Sequence, residues 1–224
     1  MTSEARTTHI IQRLGHQGDG VAEGPVFAAR TLPDETVSGL LDGSQLTDIR
    51  IETPAETRVQ PPCRHYKSCG GCQLQHASDD FVARWKEDVV RRALSAQGIE
   101  ADIRPVHTSP AHSRRRATLA VRRTKKGAMA GFHGRASDVI TQIPDCHLLD
   151  PALIAAIPMA EDLALIGASR KAPLAVTVTL SGSGLDVLVK NGKPLDGPLR
   201  IALSQAAEKH KLARLTWEDE PLAM

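Results

Sequence analysis

Four cysteines constrain this chain more than any other feature. Cys63, Cys69 and Cys72 form a C-x5-C-x2-C group, and Cys146 follows far along the sequence. Three close thiols and a distant fourth is a recurrent way to hold an iron–sulfur cubane, because a short loop can supply three corners of a tetrahedron and another segment closes it. Gly70 and Gly71 let the backbone turn between the ligands. Structural zinc takes four thiolates as well, but its loops usually carry two C-x2-C pairs, and only one is present. Free or catalytic thiols are the third reading. His65, His76 and His147 lie close enough in sequence to replace a cysteine in a mixed site, although a solvent-facing or outer role suits them better.

Compartment bears on this choice. The opening Met1 to His9 is polar, with no apolar core of a secretion signal. No apolar run approaches the ~20 residues of a membrane-spanning helix. A cytoplasmic setting without a membrane partner follows, and there cysteines serve more often as metal ligands than in disulfides.

Charge is uneven. The formal net charge is +2, yet Arg91 to Arg135 holds 11 Lys and Arg against two acids, Glu100 and Asp102. Its centre runs from Arg114-Arg115-Arg116 through Arg122-Arg123 to Lys125-Lys126, with no acid among them. On a strand, Arg114, Arg116 and Arg122 share one face and Ala117, Leu119 and Val121 the other. Such a ribbon is costly unless water or an anion faces it, and phosphates are the simplest anion. Phe132 and His133 sit across the expected hairpin and are candidates for stacking on unpaired bases.

The rest of the pattern implies an α+β chain. Residues from about His9 to Gln60 read as five short strands separated by turns at Gly15, Gly18-Asp19-Gly20, Gly24-Pro25, Pro33-Asp34 and Asp42-Gly43. That spacing suits an OB-like β-barrel over 1–60, ended by Pro61-Pro62. The remainder, 61–224, reads as one α+β domain. Its clearest helix starts at Ser78 or Asp79 and carries Phe81, Trp85 and Val89 on one stripe. Asp150-Pro151 opens a helix to about Leu165. Leu174–Leu180 and Leu185–Val189 form a hairpin, followed by a helix over Gly197–Lys211 and a last strand at Ala213–Trp217. Ser181-Gly182-Ser183-Gly184 is that hairpin's turn rather than a cofactor loop, since a strand follows it instead of a helix. No P-loop, H-E-x-x-H or G-x-S-x-G occurs, and no catalytic residue or S-adenosylmethionine contact is expected.

Several of these residues resemble a known family. Pro61-Pro62-Cys63 through Cys69-Gly70-Gly71-Cys72-Gln73-Leu74-Gln75-His76, with Trp85-Lys86 on the next helix, is similar to the cluster segment of bacterial RNA uracil-5-methyltransferases. The subgroup that methylates 23S ribosomal RNA is the best likeness. Arg114-Arg115-Arg116, Gly131-Phe132 and Asp145-Cys146-His147 fall where that family has its basic strand and last cluster ligand. Gly18-Asp19-Gly20-Val21-Ala22 and Leu32 to Val37 resemble a TRAM domain, an OB-like RNA-binding module.

The resemblance implies a 4Fe-4S cluster on Cys63, Cys69, Cys72 and Cys146. It implies RNA binding by Arg114, Arg115, Arg116, Arg122, Arg123, Lys125, Lys126, Phe132 and His133, with 23S rRNA as partner. It also implies a Rossmann-like methyltransferase domain that binds S-adenosylmethionine. Because the sequence stops at Met224, that domain is expected to be absent from this chain, its cofactor with it, and a separate chain is one source that could supply it. The alternative is a self-contained zinc- or iron–sulfur-stabilised RNA-binding adaptor, or a small electron carrier.

Overall fold

The computed structural model describes residues 6–223; the first residues of the polar opening and Met224 lie outside them. The chain divides into two compact units. One comprises Met1–Pro62 with Cys72–Thr108, the other Cys63–Gly71 with Ser109–Met224.

The first unit is built on six strands, β1 (Thr7–Ile10), β2 (Arg13–Leu14), β3 (Gly20–Ala22), β4 (Val26–Ala28), β5 (Thr36–Asp42) and β6 (Gln45–Thr53). Their order is β1-β5-β6-β4-β3-β2. β1 and β2 stand at opposite ends of that order, although only Ile11 and Gln12 separate them. The linking residues still bond on both sides, Ile11 N–H to the Glu35 carbonyl and Gln12 N–H to that of Val21, both at 2.9 Å. The sheet therefore curls around its own core of Ile11, Ala22, Val26, Ala28, Val37 and Leu46.

Helix α1 (Asp79–Ser95) belongs to the same unit. Ser78 caps it, its hydroxyl accepting from Phe81 N–H at 3.4 Å, and Asp79 and Asp80 occupy the first turn. Phe81, Val82 and Trp85 pack against Leu14, Leu32 and Ala77. The second half has no such cover, and Val89 and Val90 are exposed.

The second unit carries a seven-stranded sheet ordered β13-β12-β11-β10-β7-β8-β9. Its strands are β7 (Arg116–Arg123), β8 (Ala128–His133), β9 (Ile140–Thr141), β10 (Leu174–Ser181), β11 (Gly184–Lys190), β12 (Arg214–Trp217) and β13 (Glu220–Ala223). Its helices are α2 (Pro151–Ala155), α3 (Ile157–Gly167) and α4 (Gly197–Lys209). The helix expected from Asp150 is thus two. Asp150 does cap the first, accepting from Ala152 N–H at 2.9 Å, but Ala156 lies at φ −82°, ψ −7° and Pro158 opens the second. Period-two alternation sends Leu119, Val121, Val176, Val178, Val187, Val189, Leu215 and Trp217 into one core with Leu153, Leu163 and Leu203 from the helices.

The expected α+β class needs correction here. β-sheet dominates both units, and no helical domain is present among the described residues. The physical reason is the run of alternating Val, Thr and Leu in β7, β10 and β11, which favours strands, while the helices serve as cover for one sheet face.

Candidate nucleic-acid interface

β7 lies inside the second sheet, paired with β10 on one side and β8 on the other. Its inward residues Ala117, Leu119 and Val121 are buried in the core. Alternation then turns Arg116, Thr118, Ala120 and Arg122 to the opposite face, away from that core. Arg123 sits at the strand end opposite Ala128, and Lys125 and Lys126 project from the connecting turn, both exposed. Arg114 stands before β7, in an isolated bridge to Leu149, so the shared face begins at Arg116. Arg115 donates from Nη2 to the Leu180 carbonyl at 3.2 Å.

The electrostatics of this segment differ from those elsewhere. Most acidic carboxylates near cations are already engaged: Asp186 with Arg214, Asp219 with Lys190, Glu220 with Arg200, and Asp162 with Lys209 and His210. Among the described residues, no such partner meets Arg114, Arg116, Arg122, Arg123, Lys125 or Lys126. The Nε of Arg122 is buried without a hydrogen-bond partner. Burying a donor unpaired costs free energy, so an arriving anion that accepts from this guanidinium is favoured.

Phe132 and His133 part company. Phe132 is half-buried and packs against the core of the second unit. His133 is exposed, and its carbonyl accepts from Gly70 N–H at 2.9 Å. That approach is close, since a Cβ on Gly70 would lie 2.7 Å from the same oxygen.

The cysteine group does not assemble a metal centre. Cys63, Cys69 and Cys146 belong to the second unit and Cys72 to the first. Among the described residues, no group of three or more His, Cys, Asp or Glu side chains is arranged to hold a metal ion. Cys146 is buried in the aliphatic core, with Cys69 packed against it, and Cys69 Sγ accepts from Gly71 N–H at 3.4 Å. The 4Fe-4S cluster expected from the spacing is therefore corrected, because spacing orders ligands along the chain without fixing where their sulfurs point.

Sequence reasoning overlooked the polar cluster beside Cys146. Asp145 accepts from Arg64 Nη2 at 2.8 Å and lies 2.7 Å from His65 Nε2. The His65 bond, together with Arg64, holds the Asp145 carboxyl below the usual carboxylate range. The signal, an Arg-His pair facing an Asp 80 residues away, is non-local and has no periodicity.

No protein-family model matches the chain. Related sequences and a solved structure do. The chain is 34% identical over 223 residues to a protein of Brucella suis named as an uncharacterized RNA methyltransferase, aligning 98% of this chain with 54% of that protein. A protein so named from Caulobacter vibrioides is 37% identical over 224 residues, again with 54% of its length covered. This chain is homologous to RNA methyltransferases. It spans about half the length of these relatives. A 23S rRNA (uracil-C5)-methyltransferase of Halomonas elongata is 36% identical over 183 residues, 75% of this chain and 38% of that one.

The solved tRNA (uracil-54, C5)-methyltransferase of Pyrococcus abyssi, determined with S-adenosyl-L-homocysteine, superposes with a TM-score of 0.61 at 19% identity. It matches 94% of this chain and 50% of its own. Two expectations are corrected by this. Nearly the whole chain shares the fold of half of that structure, so a fold defined by the absence of a Rossmann-like domain is not upheld. Nor is the assignment of S-adenosylmethionine solely to a missing domain, since the chain's last residue is no evidence about what lies beyond it.

Among the described residues, no helix is long and apolar enough to cross a membrane.

Proposed function

We propose that this chain is the RNA-gripping part of a uracil-5 RNA methyltransferase that uses S-adenosylmethionine and acts on 23S ribosomal RNA in the cytoplasm. The β7 segment is the grip: Arg114, Arg115, Arg116, Arg122, Arg123, Lys125 and Lys126 meet phosphates, and exposed His133 adds a polar contact at the neighbouring strand. Phe132 is left out of this role because it packs inward. The curled six-stranded sheet acts as a second, TRAM-like RNA contact. No residue of this chain is assigned to methyl transfer itself.

One observation carries the reading. A chain homologous to RNA methyltransferases presents a run of cations for which no acid among the described residues supplies the counter-charge. Phosphates replace that missing charge and release condensed counterions as they bind. The 23S assignment draws on the likeness to the Halomonas elongata enzyme.

The test is RNA binding by the purified chain at several salt concentrations. A steep loss of affinity with rising salt is expected, with a log–log slope of about −0.9 for each phosphate neutralised on a duplex. No RNA binding, or binding indifferent to salt, overturns the reading.

A further inference from the structure

The face of the second sheet turned away from its helices carries an ordered polar lattice. Strand register sets Arg116, Thr179, Asp186 and Arg214 side by side across β7, β10, β11 and β12. The next row is Thr118, Thr177, Leu188 and Thr216. Thr118 and Thr177 bond to each other through their hydroxyls at 2.8 Å, and Thr118 is exposed. No member of either row is aromatic.

Three facts restrict what can lie on this face. Arg214 is held by Asp186 and Lys190 by Asp219, so the charge left over lies along β7, at Arg116 and Arg122. Those two are six residues apart on one strand, a span of about 20 Å. Single-stranded RNA is usually read by stacking successive bases on a platform of aromatic rings, and on this face the two rows supply none, leaving one imidazole, that of His133 on the adjacent β8. The wide, shallow minor groove of an A-form helix instead displays 2′-hydroxyls, which need small hydrogen-bonding partners on a flat surface. Threonine hydroxyls donate and accept.

The geometry points to this sheet face as a docking surface for double-stranded RNA, with Thr118, Thr177 and Thr216 bonding to ribose hydroxyls and Arg116 and Arg122 to the flanking phosphates. This rests on the RNA-binding reading above and adds the kind of RNA and the group that is read. The contact is with sugar and phosphate, so it recognises a stem by its shape and carries no base sequence.

The experiment measures affinity of the whole chain, by fluorescence anisotropy at one salt concentration, for three probes. They are an RNA duplex of about 16 base pairs, the DNA duplex of the same sequence, and one RNA strand alone. The RNA duplex is expected to bind about tenfold more tightly than the DNA duplex, as three neutral hydrogen bonds warrant, and more tightly than the single strand. The T118V/T177V/T216V variant keeps β-branched side chains, and is expected to bind both duplexes alike with an unchanged salt slope. Equal wild-type affinity for the RNA and DNA duplexes, or preference for the single strand, overturns the proposal while leaving RNA binding standing. Binding to none of the probes overturns both. The wild-type comparison decides the matter even if the variant fails to fold.

Discussion

Arg58 closes over Glu35, whose side chain is fully buried in the first unit. Arg58 Nη2 donates to one carboxylate oxygen at 2.8 Å while Nε engages the other, and the Leu32 and Ala55 N–H groups donate at 2.9 and 3.3 Å. A third bond from the guanidinium reaches the Arg30 carbonyl at 2.9 Å. Removing one member strands the other, so Glu35→Ala should cost about 3 kcal/mol of stability. Replacing both by apolar residues should cost less than the sum of the single changes. A double-mutant cycle by urea denaturation checks this; additive losses would deny the coupling.

The same pair sets an acid limit. Burial alone would raise the Glu35 carboxyl, but the Arg58 bonds and charge and the two N–H donors outweigh it and hold it below the usual 4.5. A carboxyl lowered in the folded state gives stability that is complete above its unfolded value and lost as pH falls through the folded one. Wild type should therefore lose stability below about pH 4.5, and Glu35→Gln should lose less over that interval. Melting temperatures measured from pH 5 to 3 test it; parallel profiles would refute it.

His76 imposes a separate, higher window. Its ring is 1% exposed, and burial first, then the Arg58 charge, push it down from 6.5 to about 4. The unfolded chain takes up the proton before the folded one, so stability is complete above pH 6.5 and falls until about pH 4. The full loss is on the order of 3 kcal/mol. His76→Gln should flatten the profile between these limits, whatever it does to stability at neutral pH. An unchanged slope between pH 6.5 and 4 would place the sensitivity elsewhere.

In the second unit, Trp217 fills space that two glycines leave open. A Cβ on Gly167 or Gly192 would lie 2.3 or 2.2 Å from its ring, and its Nε1 donates to the Lys193 carbonyl at 2.9 Å. Trp217→Ala should cost about 3–5 kcal/mol. Gly192→Ala should destabilise through overpacking, by about 1–3 kcal/mol. Combining Gly192→Ala with Trp217→Phe should recover part of that loss, because a smaller ring relieves the clash. Denaturant midpoints supply the comparison, and no recovery would mean the glycine is needed for its backbone alone.

Legibility in the sequence followed the range of the interaction. α1 could be read from Ser78, the two aspartates after it, and the stripe through Phe81 and Trp85, all within one helix. The Leu174–Ser181 and Gly184–Lys190 hairpin could be read from its alternation. β13 escaped because Glu220-Pro221-Leu222-Ala223 has no alternation of its own and is a strand by pairing with β12. The curl of the first sheet depends on β1 and β2 bonding in opposite directions, which no local pattern encodes. The cysteines mark the opposite failure: a strong local spacing suggested a centre that side-chain placement does not supply. The charge of β7 was visible in composition, whereas the threonine row depends on register across four strands.

Charge neutralisation should separate the β7 arginines from arginines already satisfied. Every phosphate that goes without its cation takes about 0.9 off the slope of log affinity against log salt, so the slope reports how many phosphates are neutralised in a way that affinity alone does not. Arg116→Ala and Arg122→Ala should each weaken RNA binding and flatten the slope by about that amount. Arg200, paired with Glu220 on the surface, is the control, because its charge is already spent. Arg200→Ala should leave the slope unchanged and shift stability by less than about 1 kcal/mol. Lys125→Ala and Lys126→Ala should act as the β7 arginines do, since their turn is exposed and no acid among the described residues meets them. If Arg200→Ala flattened the slope as much as Arg122→Ala, binding would follow overall charge rather than the strand, and the β7 surface would lose its claim.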